Sequence, residues 1–155
     1  MARSYKQGLF RPQKPEKYHG DVNNIVFRSG WELEFLKWCD KDPSVIKYMS
    51  EELVIPYWSS CENKARRYFV DFVIKLKKAD GTTQTLIIEI KPHAERFPPV
   101  PGKRKTKAYL QAWKTYQVNQ DKWAAAEEYA QRQGVQFVVL DEYDLGIKIR
   151  RTLKQ

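Results

Sequence analysis

Apolar and polar positions alternate most clearly between Arg66 and Lys91, and this pattern predicts two β-strands joined by a tight turn. Val, Ile, Leu and aromatic side chains dominate both halves, and an Asp-Gly pair separates them as a turn signal. An acid interrupts each predicted strand, Asp71 in the first and Glu89 in the second. Because carboxylates are poor strand residues and are costly to bury unpaired, these two acids need an explanation.

The turn between the two strands decides whether the acids meet. A two-residue loop would pair Asp71 with Ile90 and would mix an acid into an apolar face. A three-residue loop closed by Gly81 instead pairs Asp71 with Glu89, and Lys91 then follows two residues along the same face. Glycine suits the left-handed conformation of the third loop position. We therefore predict the three-residue loop, with the Cβ atoms of the two acids about 4.5–5.5 Å apart.

A helical pattern begins at Ser29 and ends near Asp42, where the following proline stops it. Ser29 and Glu32 have the spacing of a capping box, in which the carboxylate reaches back to the first turn. At about 100° per residue, however, Glu32 falls inside the apolar sector of this helix, whereas Asp40 falls on the solvent side. The apolar sector comprises Trp31, Phe35, Leu36, Trp38 and Cys39. Two interpretations of Glu32 are equally open, a helix cap or a member of a metal site.

The rest of the pattern completes an α/β order. A strand is predicted over residues 52–58, and a proline near its end marks it as an edge strand. Residues 95–106 contain three prolines and a glycine and are predicted to be an irregular loop. Helical spacing resumes over residues 105–133, as one helix or as a pair capped at Asn119, and a buried strand follows at 135–140. This order favours an α/β domain with a central mixed sheet flanked by helices.

A length of 155 residues suits one domain with a substantial core. We predict an extended basic arm over residues 1–24, of the kind that orders against a partner, a single domain over 25–147 and a basic tail over 148–155. No apolar run is long enough to span a membrane, and no signal peptide is expected. The two cysteines form no zinc or redox motif and suit a reducing cytoplasm.

The formal net charge of +9 predicts an anionic partner, and nucleic acid is the leading one because Lys and Arg neutralise phosphates. The alternative is a basic surface that is merely solvated. The basic residues concentrate in the proline-rich loop and the helix after it, and again in the tail. The candidate DNA-contacting residues are Arg96, Lys103, Arg104, Lys105, Lys107 and Lys114.

Asp71, Glu89 and Lys91 place two carboxylates and a cation on one face of the predicted hairpin. Two like charges at this distance repel each other, and a divalent cation relieves the repulsion. Hard oxygen ligands suit Mg²⁺ or Mn²⁺, which would polarise a scissile phosphate and lower the pKa of an attacking water, while Lys91 would stabilise the developing charge. The bland alternatives are a surface ion pair between Glu89 and Lys91, and an Asp71 that pairs with Arg66 or Arg67. This chemistry needs no histidine, so both histidines are interpreted as incidental.

An acid on the first helix followed by Asp-(17)-Glu-x-Lys on a hairpin resembles the PD-(D/E)xK nuclease superfamily. Members have an αβββαβ core, which matches the predicted order of elements. The resemblance implies that Asp71, Glu89 and Glu32 are metal-site acids and that Lys91 is the catalytic lysine. The sequence departs from the superfamily pattern at Val70, where that pattern has proline, but valine keeps the extended backbone.

Longer runs narrow this resemblance. Residues 27–32 resemble the first-helix signature of phage junction-resolving endonucleases and of the endonuclease subunit of a cut-and-paste transposase. Further runs resemble, in order along most of the chain, the head-completion nucleases of large contractile-tailed phages; they are residues 18–21, 28–32, 67–72, 88–92, 114–119 and 145–147. The resemblance implies a Mg²⁺- or Mn²⁺-dependent DNA endonuclease that processes packaged DNA ends before the neck or tail joins. Its partners would be portal, neck or other head-completion proteins, in the host cytoplasm or at the virion head or neck.

Two alternative functions stay open. A junction resolvase or a transposon end-cutting endonuclease would share the first-helix signature but not the later runs. A structural virion protein that binds DNA ends through its basic loop and tail would carry a vestigial site. Cleavage assays with site variants separate the enzyme from the structural protein.

Overall fold

The computed structural model describes residues 7–102 and 104–145. Within these residues the α-helices are Gly30–Lys41 (α1), Lys107–Gln133 (α2) and Glu142–Asp144 (α3). The β-strands are Gly8–Leu9 (β1), Val26–Phe27 (β2), Val45–Ser50 (β3), Val54–Ser59 (β4), Lys64–Phe69 (β5), Phe72–Lys77 (β6), Thr83–Ile90 (β7) and Gln136–Leu140 (β8). Short 3-10 helices lie at Pro15–Lys17 and His93–Arg96, the second inside the segment predicted to be irregular.

The central sheet has the strand order β3-β6-β7-β8, in which β8 runs parallel to β7 and the other neighbours are antiparallel. Ile88 and Ile90 of β7 pack on the side of α1, whereas Ile87 packs on the side of α2 and the β4–β5 hairpin. The last residues of β7 are therefore buried on both faces of the sheet. The order α1-β3-β6-β7-α2-β8 is an αβββαβ core, so the predicted fold class is confirmed.

The first strand of this core is not the one that the sequence predicted. Residues 45–50 form it, whereas residues 54–59 pair with β5 in a separate two-stranded hairpin inserted before β6. A register shift between Val45 and Lys47 interrupts the period-two alternation of β3. Because of this irregularity, the alternation of apolar and polar positions does not predict β3. The predicted edge character of the 54–59 strand is confirmed, because it pairs with β5 alone.

The strand predicted to run through Asp71 is broken there into two. β5 ends before Val70 and β6 begins after Asp71, where the chain passes from the hairpin into the central sheet. As a result, Tyr68 and Val70 pack on the side of α2, while Phe72 packs on the side of α1. In one continuous strand these three side chains would share a face through the period-two alternation, and the break in the strand interrupts that alternation.

The turn between β6 and β7 is the three-residue loop. The backbone N–H of Lys78 donates to the carbonyl of Thr82 at 2.7 Å, and Gly81 has φ of +87°. The strand pairs then run from Lys77 opposite Thr83 to Phe72 opposite Ile88. The predicted register is confirmed.

Residues 7–24 are packed against the domain, which corrects the expectation of a segment that orders only against a partner. Phe10 and Tyr18 are buried in the core beside α1. The carboxylate of Asp40 accepts hydrogen bonds from the backbone N–H groups of Gln13 and Lys14 at 2.9 and 3.0 Å. Asp40 is 3% exposed, so its predicted solvent position is also wrong, because the N-terminal segment covers that side of α1. Residues 1–6 and the tail at 148–155 lie outside the described residues.

The helix after the proline-rich loop is continuous. Its first turn is capped by the Thr106 hydroxyl, which accepts from the backbone N–H of Tyr109 at 3.1 Å, and Gly134 ends it with φ of +69°. Asn119 lies inside this helix and is buried, so it caps no second helix. No helix in the described parts of the chain is long and apolar enough to cross a membrane.

Candidate active site

Two carboxylates lie together where β6 begins and β7 ends. Asp71 stands one residue beyond the last strand pair, Phe72 with Ile88, and this register places it beside Glu89. Its Oδ2 accepts a hydrogen bond from the backbone N–H of Ile90 at 2.8 Å. Burial raises the pKa of Asp71 well above its usual range, and the Glu89 carboxylate raises it further, while the Ile90 hydrogen bond opposes both. The two acids therefore interact unfavourably when both are ionised.

Lys91 supplies the nearby positive charge. Its Nζ lies 3.5 Å from Oε1 of Glu89, and the two side chains are only 19% and 8% exposed. The backbone N–H of Lys91 donates to the carbonyl of Leu140 at 2.9 Å, which fixes the end of β7 against β8. The structure thus brings Asp71, Glu89 and Lys91 together, and the Glu89–Lys91 pair is not the exposed surface pair considered as an alternative.

Glu32 makes the capping contact and also influences the acid pair. The Ser29 hydroxyl accepts from the backbone N–H of Glu32 at 3.2 Å, and Oε2 of Glu32 accepts from the backbone N–H of Arg28 at 2.8 Å. The carboxylate thus reaches back past the N-cap Ser29 to the backbone of Arg28, one residue earlier than the capping box predicts. Burial, the Glu89 charge and the Ile90 hydrogen bond have the largest effects on the pKa of Asp71, and the charge of Glu32 raises this pKa further. Glu32 is thus within electrostatic range of the site.

A divalent cation needs oxygen ligands, and the carboxylates of the site are the side chains that could supply them. Within residues 7–102 and 104–145, no group of three His, Cys, Asp or Glu side chains is close enough to hold a metal ion. The three predicted metal-site acids therefore do not form a closed cage. Mg²⁺ needs only one or two carboxylates, because water and phosphate oxygens complete its shell. The mutual repulsion of Asp71 and Glu89 is what a divalent cation would offset, so this pair fits such an ion.

Tyr68 contacts the acid pair, although the sequence analysis did not select it as a candidate site residue. Its hydroxyl donates a short hydrogen bond to Oε2 of Glu89. Burial raises the pKa of Tyr68, and the charge of Glu89 raises it further, so the hydroxyl keeps its proton. The interpretation of β5 and β6 as one strand put Tyr68 on the face opposite Asp71, and the break after Phe69 removes that separation.

Lys122 is a second cation near the acids that the sequence analysis missed. Its Nζ lies 5.6 Å from the centre of the Tyr68 ring. Burial lowers the pKa of Lys122, whereas the charges of Glu89 and Asp71 raise it, and Lys91 lowers it again. The available signal was its helical spacing with the buried Ala126, four residues on, which places both side chains on the inner face of α2.

Five of the candidate DNA-contacting residues fall within the described residues, and Lys103 does not. Four of the five are solvent-exposed cations in the loop and on the first turns of α2: Arg104, Lys105, Lys107 and Lys114. These positions leave their charges available to a phosphate backbone.

Arg96, the remaining candidate, is part of a polar cluster where β7 and β8 end. Its Nη1 and Nδ1 of His93 each lie 2.8 Å from Oδ2 of Asp141, whose side chain is 4% exposed. Burial would raise the pKa of Asp141, but hydrogen bonds from His93, the backbone of Asp144 and Arg96 hold it well below its usual range. His93 therefore has a structural role, because it ties the chain after β7 to the start of α3. Its interpretation as incidental to the catalytic chemistry stays a prediction.

Comparisons with known proteins agree with this geometry. The family model described as TnsA-like endonuclease N terminal matches residues 42–142, a range that contains Asp71, Glu89 and Lys91 but begins after Glu32. A head completion nuclease of Enterobacteria phage T4 is 41% identical over 139 residues, which cover 87% of this chain and 90% of that relative. With the paired acids and adjacent lysine on an αβββαβ core, this chain belongs to the TnsA-like endonuclease family.

Proposed function

We propose that this protein is a divalent-cation-dependent DNA endonuclease that acts in phage head completion. The observation that carries the proposal is the pairing of the half-buried Asp71 with the buried Glu89 beside Lys91. Two repelling carboxylates and an ion-paired lysine are costly to assemble for stability alone. Their place at the end of a β-hairpin in a TnsA-like endonuclease domain supports a catalytic role for them.

Asp71 and Glu89 would hold Mg²⁺ or Mn²⁺, with Glu32 placed to add charge from the start of α1. When bound, the cation polarises the scissile phosphate and supplies a water of lowered pKa. A water at the scissile phosphate would lose one proton to solvent as its oxygen forms a bond to phosphorus. The bond from phosphorus to one ester oxygen would break, and that oxygen would take up one proton from solvent. Lys91 stabilises the negative charge that develops on the phosphate oxygens.

Tyr68 and Lys122 support this arrangement from the side of α2. The Tyr68 hydroxyl fixes the orientation of the Glu89 carboxylate, because one carboxylate oxygen accepts a hydrogen bond from it and the other faces Lys91. Lys122 adds a second positive charge close to both acids. The site thereby has cations on two elements to offset its carboxylates and the substrate phosphate.

DNA is the proposed substrate because the chain carries a formal charge of +9 and exposes basic side chains near the start of α2. The head completion nuclease to which it is similar suggests the biological step. The protein would process or trim the ends of packaged DNA before the neck or tail attaches. Its partners would be portal, neck or other head-completion proteins, in the host cytoplasm and at the virion head or neck.

Purified protein incubated with single-stranded, duplex and branched DNA in Mg²⁺ or Mn²⁺ tests the activity. Wild type should cleave, Asp71→Asn and Glu89→Gln should not, and Glu34→Gln, an exposed acid on α1, should cleave like wild type. DNA binding without cleavage in every form, wild type included, would establish the non-catalytic alternative. A strong preference for branched DNA over free ends would favour the junction-resolving alternative.

A further inference from the structure

The β4–β5 hairpin turns an apolar face to solvent. Alternate residues of each strand point outward, and opposite partners in the register share that face. The outward pairs are Val54 with Phe69, Pro56 with Arg67, and Trp58 with Ala65. Trp58 is 60% exposed and Phe69 is 48% exposed, although the opposite face of the same hairpin is buried against α2. Large exposed rings on one face of a small hairpin indicate a binding surface.

The chemistry of this outer face fits unpaired nucleic acid. The guanidinium carbon of Arg67 lies 5.5 Å from the centre of the Phe69 ring, so a cation and an aromatic ring are stacked there. Arg67 is the cation of this face, because Lys64 pairs with the buried Ser59 and alternates to the opposite face. Flat rings accept bases of any sequence, and neighbouring cations accept the phosphates between them. Pro56 lacks a backbone N–H, which disfavours the addition of a partner strand to the edge of β4.

The outer face is continuous with the candidate active site. Phe69 lies two residues before Asp71 and lines a cleft of about 560 Å³ together with Arg28 and Glu51. The side chain of Arg28 is paired with Glu51 at 2.9 Å, and its backbone N–H is bound by Glu32. The backbone N–H of Glu51 donates to the carbonyl of Asp71 at 3.1 Å, so the cleft beside Phe69 adjoins the segment that carries the acid pair.

We propose that the outer face of the β4–β5 hairpin binds unpaired bases of the DNA substrate, through stacking on Trp58 and Phe69 with Arg67 beside a phosphate. The proposal rests on the proposed function and names its substrate class, DNA that contains a single-stranded or frayed segment. Bases inside a duplex are already stacked on one another, so they offer no free face to these rings. The hairpin thereby selects DNA with unpaired bases for the adjacent site.

The double variant Trp58→Ala/Phe69→Ala tests this role in binding assays without divalent cation, by fluorescence anisotropy of labelled oligonucleotides. Affinity for single-stranded DNA should fall at least about tenfold, since each base stacked on an aromatic ring contributes substantially. Affinity for a blunt duplex of the same length should stay close to that of wild type. Tyr143→Ala, which removes an exposed ring on α3, is the matched control and should bind both DNAs like wild type.

Three results would overturn the proposal. Unchanged single-strand affinity would show that the face does not bind bases, and an equal loss for both DNAs would show that it contributes only general charge. An unchanged DNA affinity together with loss of self-association in sedimentation would assign the face to a second copy of the chain. Thermal unfolding of the double variant verifies its fold. The single variant Trp58→Phe keeps an aromatic ring at this position, so it should retain single-strand binding.

Cleavage is measured separately, so the two proposals fail in different ways. If wild type cleaves no DNA with Mg²⁺ or Mn²⁺, the endonuclease function fails, and the binding comparison still decides the role of the hairpin. If wild type cleaves but the double variant keeps its single-strand affinity, only the role of the hairpin fails.

Discussion

Replacement of Tyr68 by Phe removes one hydroxyl from the site and leaves the ring in place. Oε2 of Glu89 then loses its hydrogen-bond donor, and Glu89 is only 6% exposed, so solvent replaces that donor poorly. Hydrogen bonds to charged groups contribute about 1.5–3 kcal/mol. Because Lys91 remains beside the other oxygen, we expect the free energy of unfolding to fall by about 1–2 kcal/mol.

Urea unfolding and single-turnover cleavage measure the two consequences of this change. In Tyr68→Phe the Glu89 carboxylate is held only on the side of Lys91, so the cleavage rate at saturating DNA should fall. DNA affinity should change little, because Tyr68 is buried and orients a carboxylate. Tyr57→Phe is the matched control, since Tyr57 is buried on the same inner face of the hairpin but lies outside the site. Equal stability and equal rates in the two variants would refute the orienting role of Tyr68.

Three further predictions follow from the site and from the cluster beside it. Lys91→Ala should slow single-turnover cleavage by about 10²–10³-fold, whereas Lys75→Ala, an exposed lysine on β6, should not. Ser29→Ala should lower the free energy of unfolding by about 0.5–2 kcal/mol, because the α1 cap is lost, and should cleave DNA like wild type. Glu32→Gln, in contrast, should lose cleavage. Asp141→Asn should unfold at lower urea than wild type near neutral pH, and this difference should shrink as the pH falls below about 4.

The sign of the last effect follows from the lowered pKa of Asp141. A carboxyl group that is more acidic when folded stabilises the protein above its unfolded pKa, and this stabilisation is lost as pH falls through the folded pKa. A stability difference that stays constant into strong acid would contradict the assignment. For the other two variants, normal cleavage by Lys91→Ala would remove the lysine from the mechanism, and normal cleavage by Glu32→Gln would leave Glu32 as a cap alone.

The pairing of the two acids was predictable because it depends on local rules. Strand side chains alternate with a period of two, and the glycine preference at the third loop position selected one register over the other. Gly81 has the positive φ that this argument requires. Glu32 was predictable only as a choice between two roles, since a carboxylate at the first turn of a helix can cap it and still face the core.

The features that the sequence did not reveal depend on contacts between distant parts of the chain. Asp40 is buried by the N-terminal segment, more than twenty residues earlier, and no helical wheel contains that segment. The break at Asp71 occurs because the strand leaves one sheet and enters another, although its residues alternate as if it were continuous. Lys122 reaches the acids only because α2 packs across the sheet, so no motif links it to Lys91.

Anomalous diffraction from crystals soaked with Mn²⁺ tests directly whether Asp71 and Glu89 bind the divalent cation, because it locates the ion without reference to activity. We expect a Mn²⁺ peak at coordination distance from carboxylate oxygens of both Asp71 and Glu89, and we expect that peak to be lost in Asp71→Asn. A peak that contacts neither carboxylate, in protein that cleaves DNA with Mn²⁺, would contradict the claim that this acid pair is the catalytic centre.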